Sequence, residues 1–252
     1  MTDTSDRTID AARRSFNEEL LSADYPRIHH DDEQVDRMVD FLDPRPGGTY
    51  LDLATGNGVV AFAVAGRQPE ARVVGIDIAD QAISRNREAA KEQGLANIEF
   101  HLSDGRSFDF PDAAFDGMTW RYALHHFSDL AGTLADACRV LKPGRPFAVA
   151  DAVRHPEDGR DFINRFQALK PDGHVRMYTA DGLLDLFRAR GFEVGGRFAS
   201  TISFTRELNA DYHALIEDMP REILDLYEVK VAGDQAALTF DVLNVRFLAP
   251  AE

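Results

Sequence analysis

From residue 49 onward the chain alternates between two hydrophobic periods. The runs "TYLDLA", "ARVVGIDIA", "NIEFHLS", "FDGMTW" and "PFAVADA" are short and apolar or β-branched, as buried strands are. Among them "VVAFAVAGRQ", "DQAISRNREAAKEQG" and "DLAGTLADACRVLKPG" space their apolar residues as helix faces do. Strands returned by helices predict right-handed crossovers and a parallel sheet covered on both faces. Upstream, "IDAARRSFNEELLSADY" predicts a short amphipathic helix from about Ile9, after a polar, frayed start, with Phe16, Leu20 and Leu21 on one side. "DDEQVDRMVDFLD" predicts a second helix with acids at its N-terminus, stopped by "DPRPGG". Downstream the pattern predicts a helix near "TADGLLDLFRARG", an extended run "GFEVGGRFASTISF", helix from about 209 to 229, and a closing antiparallel strand in "ALTFDVLNVRFLA". The expected fold class is α/β: a doubly wound, Rossmann-like, mostly parallel seven-stranded sheet with N-terminal helices and a helical insert before its last strand.

Composition narrows the partners. The 252 residues hold 28 Lys and Arg against 43 Asp and Glu, a net charge of -15, so a nucleic acid would be repelled over most of the surface. One cysteine, Cys138, excludes an internal disulfide, and no apolar stretch is long enough to span a bilayer. A cytoplasmic protein acting on a small molecule, as a monomer or a homodimer, is expected.

In a doubly wound sheet, ligands lie beyond the carboxyl ends of the strands. There "YLDLATGNGVV" breaks from strand into a glycine turn, where Gly56 and Gly58 let the backbone approach a ligand. Gly56, Gly58 and Ala61 also satisfy the dinucleotide pattern G-x-G-x-x-G/A, with acidic Asp77 about 20 residues on. An NAD-dependent oxidoreductase is therefore one alternative. Against it, Asp52 would repel a bound pyrophosphate but suits a cationic ligand, and Asp104, after the third strand, suits the exocyclic amine of adenine. Taken singly, each acid has a structural duty available: Asp52 a turn hydrogen bond, Asp77 a helix cap, Asp104 an Asx-turn ahead of Gly105. Their recurrence on three successive strand ends favours a cofactor site.

The segments "LDLATGNG", "GIDIAD", "LSDGRSFDFPDAAFD", "RYALHHF" and "RVLKPGRPFAVAD" stand in the order found in seven-strand (class I) S-adenosylmethionine-dependent methyltransferases, and residues 45 to 152 resemble that family. The arginine and paired histidines of "RYALHHF" are most similar to the ubiquinone and menaquinone biosynthesis C-methyltransferases and their small-molecule relatives. The resemblance implies S-adenosyl-L-methionine as cofactor and S-adenosyl-L-homocysteine as product. It implies that Gly56 and Gly58 wrap the methionine part with Asp52 nearby, and that Asp77 takes the ribose hydroxyls. Ile78 would pack on the adenine, Asp104 would accept from its amine, and the Gly105 amide and Trp120 would stand close by. Two departures occur: Ala54 replaces the first glycine, and "PGRP" brings Pro146 into the fifth strand.

It also implies three parts: a helical lid segment over 1–44, a cofactor core over 45–152, and over 153–252 the second half of the same domain, with a substrate-side insert at about 207–234. Phe16, Tyr25, Tyr178 and the 209–229 helix would close over the sulfonium, although an aromatic at helical spacing also serves as core.

Methyl transfer demands position, desolvation and, for a phenolic or enolic acceptor, a base. His125 is the base candidate and His126 its alternative, with Arg121 four residues before His125 as an anchor for an anionic oxygen. Structural duties compete: one histidine capping the helix that starts near Ser128, the other filling space behind the sheet, and Arg121 in an ion pair. His155, His174 and Arg176 bring further basic groups to the loops after the fifth strand, where they would favour an anionic or phenolic substrate or stand as solvated loop charges. "IHHDDE" strings ligand-type residues together, but neighbours on a helix diverge and acids suit a helix start, so no metal is expected. C- and O-methylation remain equally open, as does a cofactor-binding protein with a non-methylating reaction or a regulatory role.

Overall fold

A computed structural model of the chain describes residues 4–19, 31–105 and 107–251. Five strands, β1 (Thr49–Leu53), β2 (Arg72–Asp77), β3 (Ile98–Leu102), β4 (Gly117–Arg121) and β5 (Pro146–Ala152), pair in parallel in the order β3-β2-β1-β4-β5. β8 (Gln235–Leu248) runs antiparallel between β5 and the edge strand β6 (Glu193–Glu207). The expected architecture is present, with one strand more. β7 (Lys230–Ala232) turns through Gly233 and Asp234 to pair with the start of β8, a Gly-containing two-residue hairpin too short to show as a hydrophobic run.

Helices cover both faces, as parallel strands buried on two sides require. On one face α1 (Thr4–Glu19) meets α4 (Asp80–Glu92), while α2 (Asp32–Leu42), α3 (Val59–Arg67) and α4 bury Met38, Val64 and Ile83 against Tyr50, Phe100 and Ala148. On the other, α5 (Leu130–Val140) and α7 (Ala180–Arg188) bury Leu134 and Phe187 against Met118, Trp120 and Phe147. The helix α1 starts at Thr4, earlier than expected from the apolar pattern, because "TSD" is itself a favourable helix opening. The second helix begins as its acids imply, with the Asp31 side chain accepting from the Gln34 amide at 3.0 Å.

Three features of the C-terminal third depart from the expected pattern. A short helix α6 (Phe162–Ala168) follows the fifth strand. The predicted 209–229 helix is two, α8 (Ala210–Glu217) and α9 (Arg221–Asp225), because Pro220 cannot continue the first. Finally, β6 extends to Glu207 and β8 starts at Gln235, so residues 201–207 and 235–241 pair beyond Ala152↔Val242, the last β5–β8 pair. This overhang stands past the carboxyl tips of the parallel strands. It is held from one side by α6, α8 and α9 through Phe166, Tyr212 and Leu224. No helix among the described residues is long and apolar enough to cross a membrane.

Candidate functional site

A cavity of about 640 Å³ lies between the strand tips and the overhang. One end is the turn after β1. Asp52 is buried, and its two carboxylate oxygens accept from Thr55 Oγ1 and Thr119 Oγ1, both at 2.6 Å. Ala54 adopts φ 53° and Gly56 φ 50°, so the alanine keeps the turn at the cost of a left-handed conformation disfavoured for a residue with a Cβ. Gly58, at φ 74°, is the N-cap of α3; a Cβ there would meet the Phe62 ring at 2.8 Å. The turn is fixed from outside by Asn86 Nδ2 donating to the Gly56 carbonyl at 2.8 Å. It is fixed from below by the Gly56 amide donating to Asp77 at 2.7 Å. Asp77 also accepts from the Ala79 amide at 2.8 Å, a turn bond ahead of α4 rather than a helix cap, and it lines the cavity wall. Ile78, Asp104 and Gly105 complete this end. The tight approach to Gly105 is backed by Phe127, which a Cβ would meet at 2.6 Å. The Gly105 amide donates to Ser103 Oγ rather than to Asp104.

Burial pushes Asp52 up to about 6, against the lowering by its threonine hydrogen bonds. Burial likewise raises Asp77, in spite of its backbone amide donors. Two carboxylates raised by desolvation beside a glycine turn gain most from a neighbour of positive charge. That donor set, with Asp104 and Gly105 on the same wall, fits an adenosyl group carrying a sulfonium. One expected result follows from the sign of the Asp52 shift. Protonated Asp52 offers a cation no attraction, so affinity for S-adenosylmethionine rises as pH increases through about 6, and binding releases protons. Neutral S-adenosylhomocysteine should show a weaker dependence; calorimetry in buffers of different ionisation enthalpy measures both.

At the middle of the cavity, β4 ends and a short turn carries Leu124, His125 and His126. His125 Nδ1 lies 2.8 Å from an Asp151 oxygen, with the imidazole 14% and the carboxylate 3% exposed. Asp151, near the end of β5, is the His125 partner the sequence pattern hides, because it sits inside the apolar run "PFAVADA". The rings of His125, His126 and His174 cluster, with centroids 4.2 to 6.3 Å apart. Their protonation differs. Burial lowers the His125 value, but the Asp151 carboxylate more than offsets it and the net shift is upward. Burial and the charge of His125 hold His126 well below the ordinary imidazole range. The same two causes bring His174 down to about 4. A neutral His174 receives support from Asn164, 3.0 Å from its Nε2.

Neither histidine caps the next helix, since the Asp129 side chain does so by accepting from the Gly132 amide at 2.9 Å. His126 packs edge-on against Phe16, which lines the cavity. Arg121 also lines it; its Nε donates to Gln34 at 2.8 Å and its guanidinium rests 4.4 Å from the Tyr122 ring centre. Gln34 and Asn244 form a buried polar joint, unseen in the sequence, between α2 and β8.

Four expected site residues stand elsewhere. Trp120 is not a cofactor residue: alternate strand positions face opposite sides, and its ring is fully buried between Phe127 and Phe147 in the core. His155 belongs to the loop after β5, where its amide donates to Tyr227 and its Nδ1 accepts from the Glu157 amide. Arg176 is exposed with its guanidinium 5.4 Å from the Tyr178 ring centre, and Tyr178 packs against the core beneath α7 rather than in the cavity. The "GHVR" segment contributes through its backbone instead, as the Val175 and Arg176 amides both donate to the His125 carbonyl. Tyr25, with Leu20, Leu21, His29 and His30, lies outside the described residues. Among the described residues no His, Cys, Asp or Glu cluster is arranged to hold a metal ion.

Comparison with known proteins agrees with this geometry. Residues 44–188 match the family model described as a methyltransferase domain. An uncharacterized methyltransferase, YcgJ of Bacillus subtilis, is 31% identical over 60% of this chain and 59% of its own. Its crystal structure superposes with a TM-score of 0.77 over 87% of this chain and 99% of that one, at 21% identity. The nocamycin O-methyltransferase of Saccharothrix syringae is 36% identical over 48% of this chain, and the match spans only 43% of that enzyme. A ubiquinone/menaquinone biosynthesis C-methyltransferase of Dinoroseobacter shibae is 28% identical over 76% of this chain and 77% of its own. The dehydrogenase alternative falls with these matches. A glycine turn and three acidic strand ends on this fold, together with a family model covering more than half of the residues, identify the chain as a member of the class I S-adenosylmethionine-dependent methyltransferase family.

Proposed function

We propose that the protein transfers a methyl group from S-adenosylmethionine to a phenolic, enolic or similar small-molecule acceptor, at carbon or oxygen, with His125 as the base. The observation that carries this reading is the 2.8 Å contact of Asp151 with His125, whose side of the pair lines the cavity that also holds the glycine turn. The cofactor, when bound, supplies an electrophilic methyl on a sulfonium; the protein must present the acceptor and take its proton. Asp151 fixes the tautomer of His125 by accepting from Nδ1–H, which leaves Nε2 as the atom that takes the proton. The carboxylate then stabilises the imidazolium, the direction of shift described above. His126 and His174, held neutral, do not compete for that proton. Arg121 stands on the same wall to steady an acceptor oxygen as its charge develops.

Two measurements test the reading. Calorimetry should show binding of S-adenosylhomocysteine, weakened ~10–100-fold in Asp77→Asn, the loss of charge-assisted hydrogen bonds that steady the glycine turn and the ligand. Mass spectrometry of an acceptor should show the gain of one methyl group. Absence of S-adenosylhomocysteine binding would refute the cofactor assignment; an acceptor altered without that gain would favour a non-methylating reaction.

A further inference from the structure

The cavity has a second end, and its chemistry is unlike the first. Beyond His125 the overhang supplies Ile202, Phe204 and Phe240, while the end of β5 adds Ala152 and the segment after it Met177, so the walls are apolar. Polar side chains close this end, among them Gln167, Lys170, Asp172 and Arg206. Lys170 and Asp172 are an ion pair at 3.0 Å and offset one another.

Arg206 is different. It occupies the inward row of β6, two residues beyond Phe204 and four beyond Ile202, where the alternation calls for another apolar side chain. Among the described residues it has no carboxylate partner: its hydrogen bond is to the neutral Gln167 amide oxygen at 3.4 Å. Its Nε is buried with no acceptor, and the nearby Tyr212 hydroxyl is buried without one also. The chain carries 43 acidic residues against 28 basic ones, yet among the described residues none is paired with this half-buried guanidinium. An unmet buried N–H carries a desolvation cost that a ligand oxygen would remove.

Resting on the methyltransferase reading above, we infer that the acceptor carries a carboxylate, held at the far end of the cavity by Arg206 and Gln167 while its nucleophile faces His125. One cation with no carboxylate partner among the described residues matches one negative charge, which favours a carboxylate over a doubly charged phosphate. The apolar walls between Arg206 and His125 accommodate a flat or aliphatic body, which ties the anion and the reacting atom into one molecule. A guanidinium takes the two oxygens of a carboxylate with directional hydrogen bonds, so Arg206 selects for register as well as charge.

Matched probes test this without knowledge of the natural acceptor. The hydroxybenzoate, hydroxycinnamate and hydroxynaphthoate acids, and their carboxamides, are titrated calorimetrically into protein saturated with S-adenosylhomocysteine. In the wild type at least one acid should bind roughly tenfold or more tightly than its amide, a gain of about 1.4 kcal/mol. In Arg206→Gln that ratio should fall to about one, and in Arg206→Lys it should be partly retained, as a point charge without the fork allows. S-adenosylhomocysteine affinity should be unchanged in both variants, which reports that they are folded. Equal or absent binding of every acid and amide to the saturated wild type overturns the inference and leaves the cofactor reading intact. So does an acid preference that survives Arg206→Gln, which would assign the anion to another cation. Failure of the wild type to bind S-adenosylhomocysteine overturns both.

Discussion

Replacement of His125 by alanine should lower kcat by ~10²–10⁴-fold, the range that a positioned general base contributes, with S-adenosylhomocysteine affinity near that of the wild type. The pH profile supplies the sharper check. A base must be deprotonated to act, so the rate rises with pH through the His125 value, which Asp151 holds above the ordinary imidazole range. In Asp151→Asn the carboxylate is lost and burial dominates, so the acid limb should move to lower pH. Its plateau should fall as well, because an amide no longer holds the imidazole in one tautomer. A structural histidine predicts neither shift. If the acid limb stays in place in Asp151→Asn, the ionisation belongs to another group and the base assignment is wrong.

Trp120→Ala should cost about 3–5 kcal/mol of stability, the usual range for emptying a buried aromatic site. That is a large share of the ~5–15 kcal/mol by which a domain is stable. The indole is fully buried, edge-on to Phe127 at 4.7 Å and parallel to Phe147 at 6.3 Å, so no neighbour can close the gap without leaving its own contacts. The Nε1 donor has no partner, so an apolar replacement removes an unmet polar atom, and Trp120→Phe should cost much less. Urea unfolding followed by circular dichroism measures this, since the only tryptophan is the one removed. The same variants separate a core role from a cofactor role: Trp120→Phe should bind S-adenosylhomocysteine as the wild type does, whereas a residue in the cofactor wall would lose affinity at nearly unchanged stability.

The parallel half of the fold was legible because strand and helix periods are local signals, and the turn after β1 because glycines at a spacing of two have few other uses. Asp52, Asp77 and Asp104 could be placed at one end of a cavity from their positions at strand tips alone. What escaped were residues whose partner is far along the chain. Asp151 resembles any polar residue in a strand until the 124–126 turn brings His125 to it across 26 positions. Gln34, in an acidic helix opening, gives no hint of Arg121, Tyr122 and Asn244. Trp120 was misplaced because position at a strand tip does not say which face a side chain takes; Met118 and Trp120 share the core face, and Thr119 turns toward Asp52. His155 and Arg176 were grouped with His174 by nearness in sequence, and Tyr178 with the lid by its ring, but loops fold according to their backbone hydrogen bonds, and here those draw the 175–176 amides onto the His125 carbonyl. The segment 162–172 carried no strong period, and with it went Gln167 and Lys170.

The overhang of β6 and β8 divides the labour of the molecule. Its paired backbone is complete in itself from Thr201↔Asp241 to Glu207↔Gln235, so its inward side chains can be exchanged without unpairing the strands. Swapping Phe204, partly buried on the inward row, for a smaller or larger residue would reshape the far chamber, away from the turn after β1. A lineage built this way can change its diet while keeping its cutlery.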